Sequence, residues 1–141
     1  MKARAPAERN KLIFTCALVL ASAIQSPIKV EITKTGSSWQ LVRGGKPYFI
    51  KGVGGTTRMD ELSKAGGNSV RTWGAEKAAT ELLEAGEKGL TVMLGIWLGH
   101  KDYFNYSDPA QVKKQYDMVR EEVLRHRNNP CLLYTSPSPR D

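Results

Sequence analysis

The sequence predicts an α/β fold with a parallel sheet covered by helices, and three observations carry that expectation. Two apolar stretches, Asn68–Gly74 and Leu90–Trp97, flank one amphipathic segment running from Ala75 to about Lys88. The second stretch is a near-continuous apolar run, the mark of a strand buried on both faces. Polar and aromatic residues then gather at the C-terminal ends of both stretches: Arg71 and Trp73 after the first, Trp97 to His100 after the second. Parallel α/β sheets place their ligands at those ends, and a right-handed crossover is the expected connection.

The other elements fall into order around that unit. Ile28–Thr33 alternates apolar and polar residues, as a half-exposed strand does. A turn over Lys34–Ser38 leads to a second strand, Trp39–Arg43, closed by the hairpin signal Gly44-Gly45 before Lys46-Pro47. Tyr48–Val53 reads as a third strand ending at Gly54-Gly55, and Met59–Ala65 as a short helix stopped by Gly66-Gly67. After the polar, aromatic loop His100–Ser107, Asp108-Pro109 supplies an N-cap and a proline at the first helical position. That helix runs to about Arg127, with Val112, Tyr116, Met118, Val119, Val123 and Leu124 largely on one side, and Asn128-Asn129-Pro130 stops it. The pattern is βαβαβα behind a short hairpin, cut where a fourth strand should begin.

Both chain ends read differently from the middle. Residues 1–23 have the layout of a secretory signal: a basic stretch with Lys2, Arg4, Arg9 and Lys11, an apolar run Leu12–Leu20, then Ala21-Ser22-Ala23. The apolar run is too short to span a bilayer, which takes roughly 20 residues; a buried N-terminal helix is the alternative. The expected location is therefore secreted or periplasmic, with no membrane contact once the signal is cleaved. From Cys131 the chain reads Cys-Leu-Leu-Tyr-Thr-Ser-Pro-Ser-Pro-Arg-Asp, which resembles the translated sequencing-adaptor tail that ends many metagenomic reading frames. Two prolines two apart remove backbone donors and restrict their neighbours. A non-native or disordered tail over 131–141 is expected. The remaining divisions are a hairpin region over 24–46 and an α/β region over 47–130.

Of the 21 lysines and arginines, four lie in the leader and one is Arg140, leaving 16 in residues 24–130 against 12 acids. These basic residues are scattered, so no nucleic-acid partner is expected. Cys16 and Cys131 both fall in the end segments, which leaves the middle without a disulfide framework or a cysteine metal site. Two distant histidines make no metal centre. Gly52-x-Gly54-Gly55 meets neither phosphate-loop spacing, so no nucleotide and no other cofactor is expected.

Four stretches taken in order carry a resemblance: Val42–Val53 (Val-Arg-Gly-Gly-Lys-Pro-Tyr-Phe-Ile-Lys-Gly-Val), Gly67–Gly74 (Gly-Asn-Ser-Val-Arg-Thr-Trp-Gly), Gly89–Gly95, and His126-Arg127-Asn128-Asn129-Pro130. Together, over roughly Trp39–Pro130, the chain resembles the catalytic barrel of glycoside hydrolase family 2-type proteins of clan A. The resemblance implies the N-terminal portion of a (β/α)8 TIM barrel, about three βα units. It also implies an O-glycosyl hydrolase that acts with retention on β-linked sugars, with an oligo- or polysaccharide substrate. In such barrels the fourth strand ends in Asn-Glu, whose glutamate is the acid/base, and the nucleophile ends the seventh. Neither is present and no Asn-Glu occurs in the chain, so no catalytic carboxylate is assigned and the fragment is expected to be inactive. About three strands of a ~250-residue fold would also leave an open apolar edge and poor solubility.

Four residues are candidates for substrate binding or support. Arg71 resembles the clan's strand-two arginine, which holds the nucleophile ionised; its alternative is a local ion pair with Glu76. Trp73 and Trp97 each offer a flat face for a sugar ring or a core side chain, and Trp97, inside an apolar run, reads rather as core. His100, at the end of the third strand of the resemblance, hydrogen-bonds a sugar or a carboxylate, or is merely solvated. Asp102, with Tyr103, Asn105 and Tyr106, forms a cleft rim or a plain surface loop. His126 complements its helix dipole with no ligand role. A non-catalytic carbohydrate-binding or structural α/β protein, and a glycan transferase on the same barrel, are the competing readings.

Overall fold

The computed structural model describes residues 26–139, so the leader expected over 1–23 lies outside the described residues. Among the described residues seven strands form two sheets, accompanied by three helices. β1 (Val30–Thr35) and β2 (Ser38–Arg43) pair antiparallel with Thr35 opposite Ser38. The two-residue β3 (Lys46–Pro47) returns against β2 through Gly44 and Gly45. Both glycines have positive φ, 57° and 75°, the conformation a two-residue primed turn demands at each central position.

The second sheet holds β4 (Gly52–Gly54), β5 (Ser69–Arg71), β6 (Thr91–Leu98) and β7 (Leu132–Pro139), all parallel and in chain order. Helices α1 (Met59–Lys64), α2 (Ala78–Glu87) and α3 (Pro109–His126) make the three crossovers. The strand order never reverses, so there is no topological switch point of the kind a doubly wound sheet has. α3 starts where Asp108 accepts hydrogen bonds from the Ala110 and Gln111 N–H groups, with Pro109 in the first turn.

Several elements differ from the pattern expected of the sequence. Of the stretch 48–53 only Gly52 and Val53 join the parallel sheet, continued by Gly54. Tyr48 instead sends its hydroxyl to the Asn68 carbonyl and to Thr91 Oγ1, both at 3.0 Å. α2 begins at Ala78 rather than Ala75. The stretch expected to lie outside the sheet, from Leu132 onward, forms β7 against β6. As an edge strand it needs donors on one side only, which is where prolines in sheets are tolerated. α3 exposes much of its apolar side, Tyr116 at 65%, while Gln111, Gln115 and Glu122 are half-buried. Its one buried residue is His126, whose Nε2 stands 3.6 Å from Glu122 Oε2.

The core lies between the sheet and the first two helices: Met59 from α1, Ala78, Leu82 and Ala85 from α2, Val70 from β5, and Val92 and Leu94 from β6. The strand register sorts residues into two faces. Val70, Val92, Leu94 and Ile96 are fully covered on one. The other carries Gly52, Gly54, Ser69, Arg71, Met93 and Gly95, matched across the strands as Gly52–Ser69–Thr91 and Gly54–Arg71–Met93. β6 is therefore apolar along its length but asymmetric in use, with Met93 and Trp97 only half-buried.

The small antiparallel sheet is anchored at the N-terminal ends of the parallel strands. The Arg43 guanidinium donates to the Pro130 carbonyl at 2.8 Å and lies over the Tyr48 ring at 5.7 Å. Asn68 uses its side-chain amide as a substitute peptide group. It accepts from the Lys51 N–H and donates to the Phe49 carbonyl, both at 2.8 Å.

Candidate functional site

At the opposite, C-terminal ends of the strands, one row of the exposed face reads Gly54, Arg71, Met93, Tyr134 across all four strands. Alternation along a strand puts Trp73 on the Arg71 face one step further toward the C-terminal end. The Arg71 guanidinium carbon sits 5.2 Å from the Trp73 ring centre, within cation–π range. The Trp73 ring leans across Gly54, where any Cβ would overlap it. The expected alternative for Arg71, an ion pair with Glu76, does not occur among the described residues. Glu76 lies instead over Gly74, where Trp97 Nε1 also approaches; a Cβ there would stand 2.8 Å from that nitrogen.

Trp73 and Glu76 line a cleft of about 200 Å³ with Gly55, Thr72, Lys77 and Glu81. Trp97 belongs to a second, of about 370 Å³, between the end of β6 and α3, shared with Phe104, Gln115 and Met118. Trp73 is 45% exposed, enough to offer a ring face, whereas Trp97 is half-buried. A broader groove of about 740 Å³ lies away from the strand ends, beside Trp39, Tyr48 and Phe49.

His100 and Asp102 lie side by side: Nδ1 stands 3.1 Å from Asp102 Oδ2, an ion pair only with the imidazole protonated, and accepts from the Asp102 N–H at 3.3 Å with the ring neutral at that nitrogen. The loop is tied back by the Tyr106 hydroxyl, which donates to the Gly99 carbonyl at 2.7 Å, and by the Gln111 side chain, which accepts from the Asn105 N–H. No described contact joins His100 or Asp102 to Arg71 or Trp73. Gly54, Met93 and Tyr134 were not legible as site residues. Their common feature is register, which only strand pairing reveals, and Tyr134 lies in the stretch read as a tail. Among the described residues no cluster of three metal-ligating side chains forms. The arrangement offers a flat indole, a cation with no acidic partner among the described residues, and a half-exposed phenol.

The strand order and helix placement define an α/β protein with a singly wound parallel sheet. No protein-family model and no curated protein matches the chain. Solved structures do. A Bifidobacterium dentium β-glucuronidase, in complex with coumarin-3-O-glucuronide, superposes with a TM-score of 0.61 at 18% identity, over 79% of this chain and 20% of that one. An uncultured Clostridium β-glucuronidase gives 0.60 at 22% identity, over 77% and 22%. A Ruminococcus gnavus β-glucuronidase bound to a uronic isofagomine gives 0.59 at 18% identity, over 79% and 22%. The chain thus spans about a fifth of the length of these neighbours, and what it shares with them is the fold.

Proposed function

We propose that this chain is the N-terminal part of a (β/α)8 glycoside hydrolase-type barrel, exported by its leader, that binds a β-linked oligo- or polysaccharide at the C-terminal strand ends. The observation that carries the reading is Arg71 stacked on an exposed Trp73 over Gly54, on the sheet face that the helices leave free. A pyranose presents C–H bonds to an indole and hydroxyls to a guanidinium and a phenol, so the row from Gly54 to Tyr134 suits a sugar lying across the strands. The unreversed strand order and the likeness to part of three β-glucuronidases support the barrel. Retaining hydrolysis takes two carboxyl groups about 5 Å apart, and the Arg71 row holds none. With no Asn-Glu in the sequence either, we read this chain as one that binds without cleaving.

The test is a tryptophan-fluorescence titration of the full chain with 4-nitrophenyl β-D-glucuronide, 4-nitrophenyl β-D-galactoside and cellotetraose. Saturable quenching by at least one of them in the millimolar range, about −4 kcal/mol, is expected. Trp73→Ala should remove the saturable part and Arg71→Ala should weaken it about tenfold, with no 4-nitrophenol released. Linear, non-saturating responses to all three sugars refute the proposal.

A further inference from the structure

We infer that the outer edge of the parallel sheet at β7 is closed to strand addition, because the register turns Pro137 and Pro139 outward. In a parallel pair, alternate residues of a strand bond to the same neighbour. The Val92 N–H donates to the Cys131 carbonyl and the Thr72 N–H to the Met93 carbonyl. Even-numbered residues of β6 therefore bond toward β7 and odd-numbered ones toward β5. A bulge after Val92 shifts β7 by one residue, and beyond it Leu94 faces Thr135, Ile96 faces Pro137 and Leu98 faces Pro139. Leu94 and Ile96 bond to the residues flanking their partners, which are Tyr134, Ser136 and Ser138. The peptide groups of Thr135, Pro137 and Pro139 are left on the open side, and two of these three have no N–H.

A fifth strand would lose two successive donors along that edge, one of the ways sheets avoid edge-to-edge pairing. The far edge differs. The Asn68 N–H donates to the Lys51 carbonyl and the Gly55 N–H to the Arg71 carbonyl, so odd-numbered residues of β4 bond inward. Gly52 and Gly54 face outward with their donors intact. The sheet is open at β4 and blunted at β7. A barrel built on β4–β7 needs a fifth strand beside β7, so the fourth strand of such a barrel must carry residues with N–H groups where Pro137 and Pro139 stand. This edge reading holds whether or not the strand ends bind a sugar.

Amide hydrogen exchange of the full chain tests it directly. The Ser136 and Ser138 amides should exchange on the order of a hundredfold more slowly than Thr135. Thr135 protected as strongly as Ser136, or Ser136 and Ser138 unprotected, overturns the register and the inference with it. A second measurement is sedimentation velocity of the Pro137→Val/Pro139→Val variant, which regains both donors and should self-associate at about a tenfold lower concentration than the parent. Equal association of the two, with matching circular dichroism, also overturns it. If the variant does not fold, the exchange pattern of the parent decides alone.

Discussion

Replacing Gly95 with alanine tests the close approach of β5 and β6 beneath the Trp73 platform. A Cβ at Gly95 would lie 2.7 Å from the Trp73 carbonyl oxygen, and nearer still to that of Thr72, where ordinary contact begins at 3.4 Å. Both obstacles are backbone, so the end of β5 must retreat by about 0.7 Å or more, the difference between those two distances. The retreat pulls the buried Thr72 hydroxyl off the Gly95 N–H, now at 3.0 Å, and strains the Thr72 N–H bond to the Met93 carbonyl, also at 3.0 Å. Overpacking costs about 1–3 kcal/mol and a lost hydrogen bond about 1 kcal/mol. Alanine's lower unfolded-state entropy returns about 0.5–1 kcal/mol, which leaves a net loss of roughly 1–3.5 kcal/mol, centred near 2 kcal/mol. In urea at 25 °C that lowers the unfolding midpoint by about 1 M for a slope near 2 kcal/mol/M. Gly86→Ala is the control. Its Cβ meets only the Cys131 sulfur, at 3.0 Å and on a side chain, and a helix interior favours alanine by about 1 kcal/mol, so stability should hold or rise. A Gly95→Ala protein within about 0.5 kcal/mol of the parent would refute the close β5–β6 approach and the placement of Trp73 that depends on it.

Three further outcomes follow from the same structure. Tyr48→Phe removes a hydroxyl bonded to Asn68 and Thr91 and should cost about 1–2 kcal/mol; an unchanged melting temperature would show that Tyr48 is not docked there. The Ala110 N–H, then the Gln111 side chain, hold the Asp108 carboxyl below its usual range. Its contribution is complete above the ordinary carboxylate value of about 4 and lost as pH falls through the lower folded value. The parent's advantage over Asp108→Asn should thus hold down to about pH 4 and fade below it, and a gap constant to about pH 2 would contradict it. Burial pushes the Cys131 thiol up, partly offset by Arg43. Iodoacetamide should therefore label Cys131 more slowly in the native chain than in urea at pH 8, and equal rates would place the thiol in solvent.

What could be read from the sequence was whatever local chemistry decides. The apolar run of β6 and the Asp108-Pro109 cap both declared themselves, because periodicity and capping act within a turn or a strand. Interactions between distant residues were illegible. Tyr48 looked like a strand residue but is drawn to Asn68 and Thr91, 20 and 43 positions away. Arg71 kept its place at a strand end, yet its neighbour proved to be the Trp73 ring rather than Glu76. β7 escaped notice because two prolines argue against a central strand and say nothing against an edge. The helix α3 misled in another way. Its apolar stripe was real, but four of its six residues, Val112, Tyr116, Met118 and Leu124, stay exposed among the described residues.

The anchoring of the small sheet has a consequence for synthesis. Arg43 leaves the ribosome 87 residues before Pro130, the carbonyl it binds, a wait of roughly 4–17 s at about 5–20 residues per second. During that interval β1 and β2 pair with each other by local contacts alone, while the Tyr48 hydroxyl lacks Thr91, a further 43 residues on. The hairpin, which emerges ahead of the parallel sheet, is thus among the last elements to be fixed in place. A nascent chain stalled before Thr91 has emerged should carry a formed hairpin that is not yet docked, with residues Tyr48–Lys51 open to proteolysis.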